Sequence, residues 1–349
     1  MGSQRSRKQG YMKMKEVSIQ FSFPEESADG VKKVLNAIEE ESGSRINFEI
    51  YYSNSFVENG DVVEALETNQ IDIAAVMTNE IPSVFPLTGN MLALPLLNYP
   101  SWEAGTQIYL SMMYNNEDMM AEFTDNGMVF WGGYMLPGYQ MFSTKEINGT
   151  DPSILGGLTI MCDNAQMQSF INANKGGAIS VFPTEYVSNL QNGVADALIQ
   201  HLSCAFAFGA FDYVKSAVFF GEAGFYNLTV GFAISEIFWN KLPEDLQAIF
   251  AAHASEISYE SHMSDAAMYE NLAYPALEAN ADITVLTDEE IAVWQEAIKS
   301  IVDDAIEGIK ADSPNAAEAY AQLTDMIANY DEATFEIGTN NFGLEAVWG

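Results

Sequence analysis

Positive charge is scarce in this chain of 349 residues, which carries 14 lysines and arginines against 49 aspartates and glutamates. The formal net charge is −35, and Arg45 is the only arginine after residue 15. A surface this acidic repels the phosphates of nucleic acids and of anionic membranes, so neither is expected as a partner. Solubility or a saline habitat is the simplest interpretation of the acidity.

Cysteine and histidine are almost as rare. The two cysteines, Cys162 and Cys204, are too few for a disulfide framework and lack the spacing of a metal site. The three histidines, His201, His253 and His262, form no H-x-x-H or H-E-x-x-H motif. We therefore expect no metal and no cofactor, and we expect both thiols to pack as small hydrophobic groups.

Long apolar runs and catalytic motifs are also missing. No apolar run approaches the roughly 20 residues that a membrane-spanning helix needs. The sequence contains no G-x-S-x-G motif, no P-loop and no G-x-G-x-x-G motif, which removes the usual signals of several large enzyme classes. Acidic residues are so frequent that a pair of carboxylates carries no information about catalysis. We predict that the protein is not an enzyme.

The first fifteen residues are polar and basic and contain no apolar segment. This composition is typical of a tag or a short tether rather than of a signal peptide, so residues 1–15 are left out of the predicted fold. The remaining chain exceeds the roughly 250–300 residues that one hydrophobic core serves, which predicts two lobes.

Strand-like and helix-like patterns alternate along most of the chain. Strands are predicted at 17–23, 46–52, 71–77, 128–134, 139–143, 158–162, 179–181 and 197–200. Helices are predicted at 29–41, 62–66, 101–123, 164–174, 185–192, 243–273, 288–309 and 316–329. This rhythm predicts an α/β fold with mostly parallel sheets flanked by helices. In such sheets, ligands bind at the carboxyl ends of the strands.

The most informative patterns lie between residues 157 and 196. GLTI at 157–160, FPTEY at 182–186 and LQNGVAD at 190–196 resemble, in order, G-L-K-I-R and P-x-x-E-x-Y-x-A-L-Q-x-G-x-x-D-G. These are signature segments of the solute receptors of tripartite ATP-independent periplasmic (TRAP) transporters, the dicarboxylate-binding, DctP-like family. LALPLL at 92–97 and FWNKLP at 238–243 are similar to further family segments, so the resemblance covers about residues 17–310.

The resemblance implies a two-lobed periplasmic-binding-protein fold with long helices bracing both lobes. It implies a monomer that closes around a small-molecule ligand and delivers it to the membrane permease subunits of a TRAP transporter. The expected location is periplasmic or extracellular, with a lipid anchor as an option. A ligand-sensing protein that feeds a signalling system is the alternative. The expected boundaries are 1–15 for the leader, 16–139 with 226–255 for lobe I, 140–225 for lobe II, and 256–349 for the bridging and C-terminal helices.

Both arginines that hold a carboxylate in this family are replaced. Met161 stands where the family has the arginine of G-L-K-I-R, and Gln140 stands at the second arginine position. We therefore expect a ligand that is not a simple arginine-clamped carboxylate, with a neutral, aromatic or amine-containing solute favoured. A carboxylate held by Lys145, Lys175 or backbone donors is the alternative.

An apolar pocket with a few polar anchors fits the residues around these positions. A cationic amine would be favoured if Asp163 were buried beside an aromatic wall. Core packing is the alternative for each aromatic residue. The candidate ligand-binding residues are Met161, Gln140, Asp163, Gln166, Trp131, Tyr134, Phe182, His201, Phe206, Asn79 and Phe232.

Overall fold

The structure is a computed structural model that describes residues 15–349 apart from Pro24 and Pro314. The predicted leader therefore lies outside the described residues, except for Lys15. That residue begins the first strand and pairs through its ammonium group with Asp72 at 3.3 Å.

Strands and helices alternate in the predicted manner. The strands are β1 (Lys15–Gln20), β2 (Ile46–Tyr51), β3 (Ile73–Met77), β4 (Met128–Met135), β5 (Tyr139–Ser143), β6 (Thr159–Met161), β7 (Gly177–Ile179), β8 (Ala197–His201), β9 (Ser216–Phe219), β10 (Thr229–Ser235) and β11 (Asp282–Val285). The helices are α1 (Asp29–Glu41), α2 (Val62–Glu67), α3 (Trp102–Asn115), α4 (Glu117–Thr124), α5 (Ala165–Ala173), α6 (Tyr186–Gln191), α7 (Leu202–Ala207), α8 (Glu236–Trp239), α9 (Glu244–Ala252), α10 (Ala254–Met268), α11 (Tyr274–Glu278), α12 (Asp288–Asp312) and α13 (Ala316–Asn329).

The strands form two sheets, one in each lobe. Within the described part of the chain, the first sheet has the order β2-β1-β3-β10-β4 and the second has the order β11-β9-β5-β8-β6-β7. The chain passes from the first sheet to the second between β4 and β5, returns between β9 and β10, and reaches the second sheet again at β11. The molecule is thus a two-lobed α/β protein whose lobes are joined by two short crossing segments, 136–138 and 220–228, and by a longer helical segment between β10 and β11.

Each of the two short crossing segments is followed by a strand, β5 or β10, that runs antiparallel to both of its neighbours. Among the described residues, five of the nine neighbouring strand pairs are parallel, and the four antiparallel pairs all involve β5 or β10. A chain that leaves one sheet at its carboxyl edge and enters the other sheet at the facing edge must run against the strands already there. The carboxyl edges of the two sheets therefore face each other, and the loops at those edges line the cleft between the lobes.

Two predicted helices are each divided. The helix expected over 101–123 ends at Asn115, and Asn116 begins α4 by accepting a hydrogen bond from the Met119 amide at 3.1 Å. The helical stretch from residue 243 is interrupted at His253, where α9 ends and α10 begins. Polar residues that cap a helix compete with helix continuation, which the apolar periodicity alone did not indicate.

The sequence patterns also missed β9, β10, β11 and the short helices α7, α8 and α11. Strand β10 is buried on both faces and contains Gly231, so it lacks the alternation of a half-buried strand. Strand β11 is mostly exposed and joins the second sheet as an edge strand, within a region for which only helices were expected.

Helix α12 is the longest brace. Its Trp294 indole donates to the Thr150 carbonyl at 2.8 Å, and its Gln295 amide donates to the Leu96 carbonyl at 3.1 Å. It therefore holds a loop from each lobe. None of the helices in the described residues is long and apolar enough to cross a membrane.

Candidate functional site

The centre of the cleft is built around Asp163, which follows β6 at the carboxyl edge of the second sheet. The Tyr226 hydroxyl donates a hydrogen bond to Asp163 Oδ1 at 2.6 Å. The Tyr139 ring stacks on Tyr226 with 4.5 Å between ring centroids. Both tyrosines lie in or next to the crossing segments and are buried. The carboxylate is therefore fixed to the floor of the cleft by the part of the chain that joins the lobes.

Glu80 approaches Asp163 from the other lobe. It ends the turn Thr78–Glu80, which follows β3 at the carboxyl edge of the first sheet. Desolvation raises the pKa of Glu80, the negative charge of Asp163 raises it further, and a hydrogen bond from Asn59 opposes the rise. Asp163 is solvent-accessible but enclosed by protein, and this desolvation raises its pKa against the effect of the Tyr226 hydrogen bond. Two carboxylates thus face the same space from different lobes.

His201 borders the site but adds no positive charge. Its ring lies 5.4 Å from the Tyr139 ring, and its Nδ1 accepts a hydrogen bond from the Cys204 amide at 3.4 Å as the N-cap of α7. Desolvation lowers the pKa of His201 to about 3, so the imidazole is neutral at physiological pH. His201 is a structural cap that keeps this wall of the cleft uncharged.

Two buried polar atoms near the carboxylates have no hydrogen-bond partner in the described residues. One is Asn79 Oδ1, adjacent in sequence to Glu80. The other is Ser203 Oγ, in the first turn of α7 and adjacent to Cys204, whose pKa is raised by burial and then by the charge of Asp163. A buried polar atom without a partner carries a desolvation cost, so both atoms favour a polar ligand group.

Met161 and Gln140, at the two family arginine positions, are both buried. Met161 packs in the apolar core of the second lobe. The Gln140 amide donates to the Gly221 carbonyl at 2.8 Å, and its Oε1 accepts from the Phe220 amide at 2.8 Å. Gln140 therefore fixes the returning crossing segment to β5.

Three of the predicted aromatic residues belong to the first lobe's core. The Trp131 indole is buried and donates to the Phe250 carbonyl at 2.7 Å. Tyr134 and Phe232 stack with 6.1 Å between centroids, and Tyr134 interacts with the buried carboxylate of Asp265. These contacts place the three rings behind the cleft rather than beside Asp163.

The remaining predicted residues lie on the second lobe. Phe182 is 77% exposed and precedes the turn Pro183–Glu185. Phe206 is half-buried in α7, 6.2 Å from the Phe211 ring, and Gln166 is half-buried in the first turn of α5. Of these three, Gln166 follows Asp163 most closely along the chain.

The lysines of the second lobe lie at the edge of the sheet opposite to Asp163. Lys145 follows the far end of β5 and pairs with Asp196 at 2.7 Å. Lys175 is an exposed turn residue before the amino end of β7, and Lys215 precedes the amino end of β9. The alternative lysine anchors are therefore not brought to the cleft.

Sequence reasoning named Asp163 and Asn79 as candidates, and it did not name Glu80, Tyr139 or Tyr226. Glu80 was discoverable, because it follows a predicted buried strand at its carboxyl end. Tyr139 was assigned to a strand without a role. Tyr226 had no signal, because its position depends on a crossing segment that local patterns do not reveal. No group of three or more histidine, cysteine or acidic side chains within the described residues is placed to hold a metal.

Comparison with known proteins agrees with this architecture. The profile of the bacterial extracellular solute-binding proteins, family 7, matches residues 24–308. The chain belongs to this family. Family 7 comprises the DctP-like receptors, a transport family and not an enzyme class, and its members are extracytoplasmic. The expectation of a TRAP solute-binding protein is thereby confirmed. A search of curated proteins found no match.

Solved structures of TRAP solute-binding proteins share the fold at low sequence identity. A marine metagenome TRAP solute-binding protein specific for aromatic acid ligands, in complex with 3-hydroxybenzoate, superposes with a TM-score of 0.80 at 16% identity over 92% of this chain and 100% of its own. A TRAP solute-binding protein from Rhodoferax ferrireducens with bound malonate superposes with a TM-score of 0.76 at 18% identity, over 89% of this chain and 98% of its own. A TRAP solute-binding protein from Sulfitobacter with bound β-D-galacturonate superposes with a TM-score of 0.74 at 14% identity, over 89% of this chain and 100% of its own.

Proposed function

We propose that this chain captures a small organic solute in the cleft between its lobes and delivers it to the membrane permease of a TRAP transporter. Its solute is not held by an arginine clamp. The observation that carries this proposal is the state of the two clamp positions, because Met161 packs in the core and Gln140 is bound to the backbone. The receptor acts outside the cytoplasm as a monomer, either free or lipid-anchored.

The solved relatives bind acids, and this chain differs from that pattern in its cleft. A carboxylate ligand needs a donor or a cation to replace the water that it loses on burial. Asp163 and Glu80 supply no positive charge and repel a carboxylate whenever they are ionised, and His201 is neutral. A neutral or amine-containing solute therefore fits the cleft better than the malonate or uronate of the relatives.

A thermal-shift screen tests this proposal with the purified protein. Carboxylates, amines, polyols and neutral aromatic compounds are compared at millimolar concentration, because a ligand of the folded state raises the melting temperature by mass action. We expect stabilisation by an amine or a neutral compound and none by malonate, galacturonate or benzoate. Stabilisation by a simple carboxylate alone would contradict the proposed ligand class, and a silent screen would contradict the receptor function.

A further inference from the structure

The two cleft carboxylates come from opposite lobes. Glu80 ends a turn on the first lobe and Asp163 follows a strand of the second, so their separation changes whenever the lobes open or close. Both groups lie at the facing carboxyl edges of the two sheets, and next to Asp163 the Asn164 amide donates to the Ala93 carbonyl of the first lobe at 3.0 Å. The negative charge of Asp163 also raises the pKa of Glu80. Like charges that approach across a cleft oppose its closure.

No cation of the described residues offsets these charges. The lysines of the second lobe lie at the far edge of its sheet, with Lys145 held by Asp196. In the first lobe, Lys32 is paired with Glu25 at 2.9 Å. Asp163 receives one hydrogen bond, from Tyr226, which leaves its negative charge in place. A cationic ligand would therefore supply a compensating charge that this part of the chain does not.

The polar groups around the carboxylates are rich in acceptors. Asn79 Oδ1 is buried beside Glu80 without a donor, and the Ser203 hydroxyl is 3% exposed without a partner. A protonated amine supplies both a positive charge and N–H donors, whereas a quaternary ammonium supplies the charge alone. Asn79 Oδ1 can only accept and the Ser203 hydroxyl can accept as well as donate, so both atoms can take a hydrogen bond from an amine that carries hydrogens.

We infer that the cleft takes a small solute with a protonated amine, held between Glu80 of the first lobe and Asp163 of the second. This inference rests on the proposed receptor function and names its substrate class. The ammonium group neutralises both carboxylates at once, so binding converts a repulsion between the lobes into two attractions. The closed population then rises because the amine contacts both lobes only when they are together.

The test uses three probes that each have one aromatic ring and differ in charge: benzylammonium is positive, benzyl alcohol is neutral and benzoate is negative. Isothermal titration at pH 7.5 should give benzylammonium an affinity at least about tenfold above that of the other two probes, the effect of one charge-assisted hydrogen bond. Asp163→Asn keeps an oxygen that accepts from Tyr226, so it removes the charge and preserves the fold. We expect this variant and Glu80→Gln each to lose about tenfold or more in benzylammonium affinity.

Glu278→Gln is the matched control, because Glu278 is an exposed carboxylate on α11 and the substitution changes the net charge by the same amount. The affinity of this variant for benzylammonium should stay within about twofold of that of the wild type. Small-angle scattering should show a smaller radius of gyration with benzylammonium for the wild type and no change for Asp163→Asn.

Equal binding of benzylammonium by Asp163→Asn and wild type would overturn the inference, as would tighter binding of benzoate. If benzyl alcohol or another neutral solute from the screen binds while benzylammonium does not, the inferred amine ligand is wrong and the proposed receptor function stands. If no probe and no compound of the screen binds, the inferred amine ligand and the proposed receptor function are both contradicted.

Discussion

Gln140 shows how one residue exchanges a ligand contact for a structural one. Its amide bonds to the backbone at residues 220 and 221 and so holds the returning crossing segment against β5. An arginine at this position would need a different partner. A residue at one of the two family arginine positions thus stabilises the connection between the lobes.

We expect Gln140→Leu to lower the free energy of unfolding by about 1–3 kcal/mol, because the Phe220 amide loses its acceptor while it stays buried. The affinity for a cleft ligand should change little. Urea unfolding measures the loss of stability, and titration of the same samples with a cleft ligand measures the affinity. Gln70→Leu, at an exposed position, is the control and should stay within about 0.5 kcal/mol of the wild type. A loss of affinity without a loss of stability would instead make Gln140 a ligand contact.

Single residues of the cleft were only partly predictable from the sequence. Asp163 was a candidate because it follows a strand that the family pattern identifies, whereas Met161, a candidate because it replaces an arginine, packs in the core. Trp131, Tyr134 and Phe232 were candidates for the pocket, and all three pack in the core. An aromatic residue in a buried strand has the same local pattern whether it faces a ligand or a helix, so only the tertiary structure separates the two cases.

At the level of elements, the two crossing segments approach each other through glycines. A Cβ atom on Gly138 would lie 2.4 Å from the Ala223 carbonyl carbon, and one on Gly224, which has a φ of +66°, would lie 2.5 Å from the Tyr139 nitrogen. Backbone hydrogen bonds join the same segments, such as that from the Leu136 amide to the Leu228 carbonyl at 2.8 Å. The hinge between the lobes is thus a pair of hydrogen-bonded segments that leave no room for a side chain at Gly138 or Gly224.

Gly138→Ala should lower the free energy of unfolding by about 1–3 kcal/mol, because the new methyl group meets backbone atoms that cannot move aside without separating the two segments. Gly308→Ala is the matched control. Gly308 lies within α12, a Cβ there would meet nothing within 4 Å, and alanine should raise stability by up to about 1 kcal/mol. Chemical denaturation of both variants measures the difference, and equal effects of the two substitutions would refute the crowding argument.

Strands β1 to β8, which include the reversed strand β5, and most of the helices were the predictable elements. Their apolar periodicity is local, and α1 follows its predicted bounds of 29–41. The crossing strand β10 was not predictable, because its burial on both faces and its glycine remove the alternating pattern. The predicted majority of parallel pairs holds narrowly, since each crossing adds a reversed strand whose direction depends on the other lobe.

For the whole molecule, acidity and burial together determine how stability depends on pH. Burial raises the pKa of Glu122 to about 7 and that of Asp265 to about 7. Below the usual carboxyl pKa near 4, both groups are protonated in the folded and unfolded states. Between about pH 4 and pH 7, the folded protein binds protons that the unfolded chain has lost. The stability contributed by these groups is therefore lost as the pH rises towards 7.

We expect the melting temperature to fall as the pH rises from 5 to 8, with each group contributing at most about 1.4 kcal/mol per pH unit. Asp265→Asn should flatten this dependence, since the amide does not titrate. Calorimetry of both proteins across this range isolates the effect of Asp265 from the general repulsion within an acidic chain. An unchanged slope in the variant would show that Asp265 does not titrate in this range.

The distribution of charge over the lobes also has a kinetic consequence. Lys145, Lys175 and Lys215 lie at the edge of the second sheet away from the cleft, whereas Asp163 and Glu80 lie at the cleft. A solute that approaches the mouth of the cleft therefore meets a negative field, which accelerates the encounter with cations and slows it for anions. Dissolved salt weakens this guidance, because the screening length shrinks from about 10 Å at 0.1 M to about 3 Å at 1 M. In a saline medium, such a receptor would discriminate by how long a solute stays bound rather than by how fast it arrives.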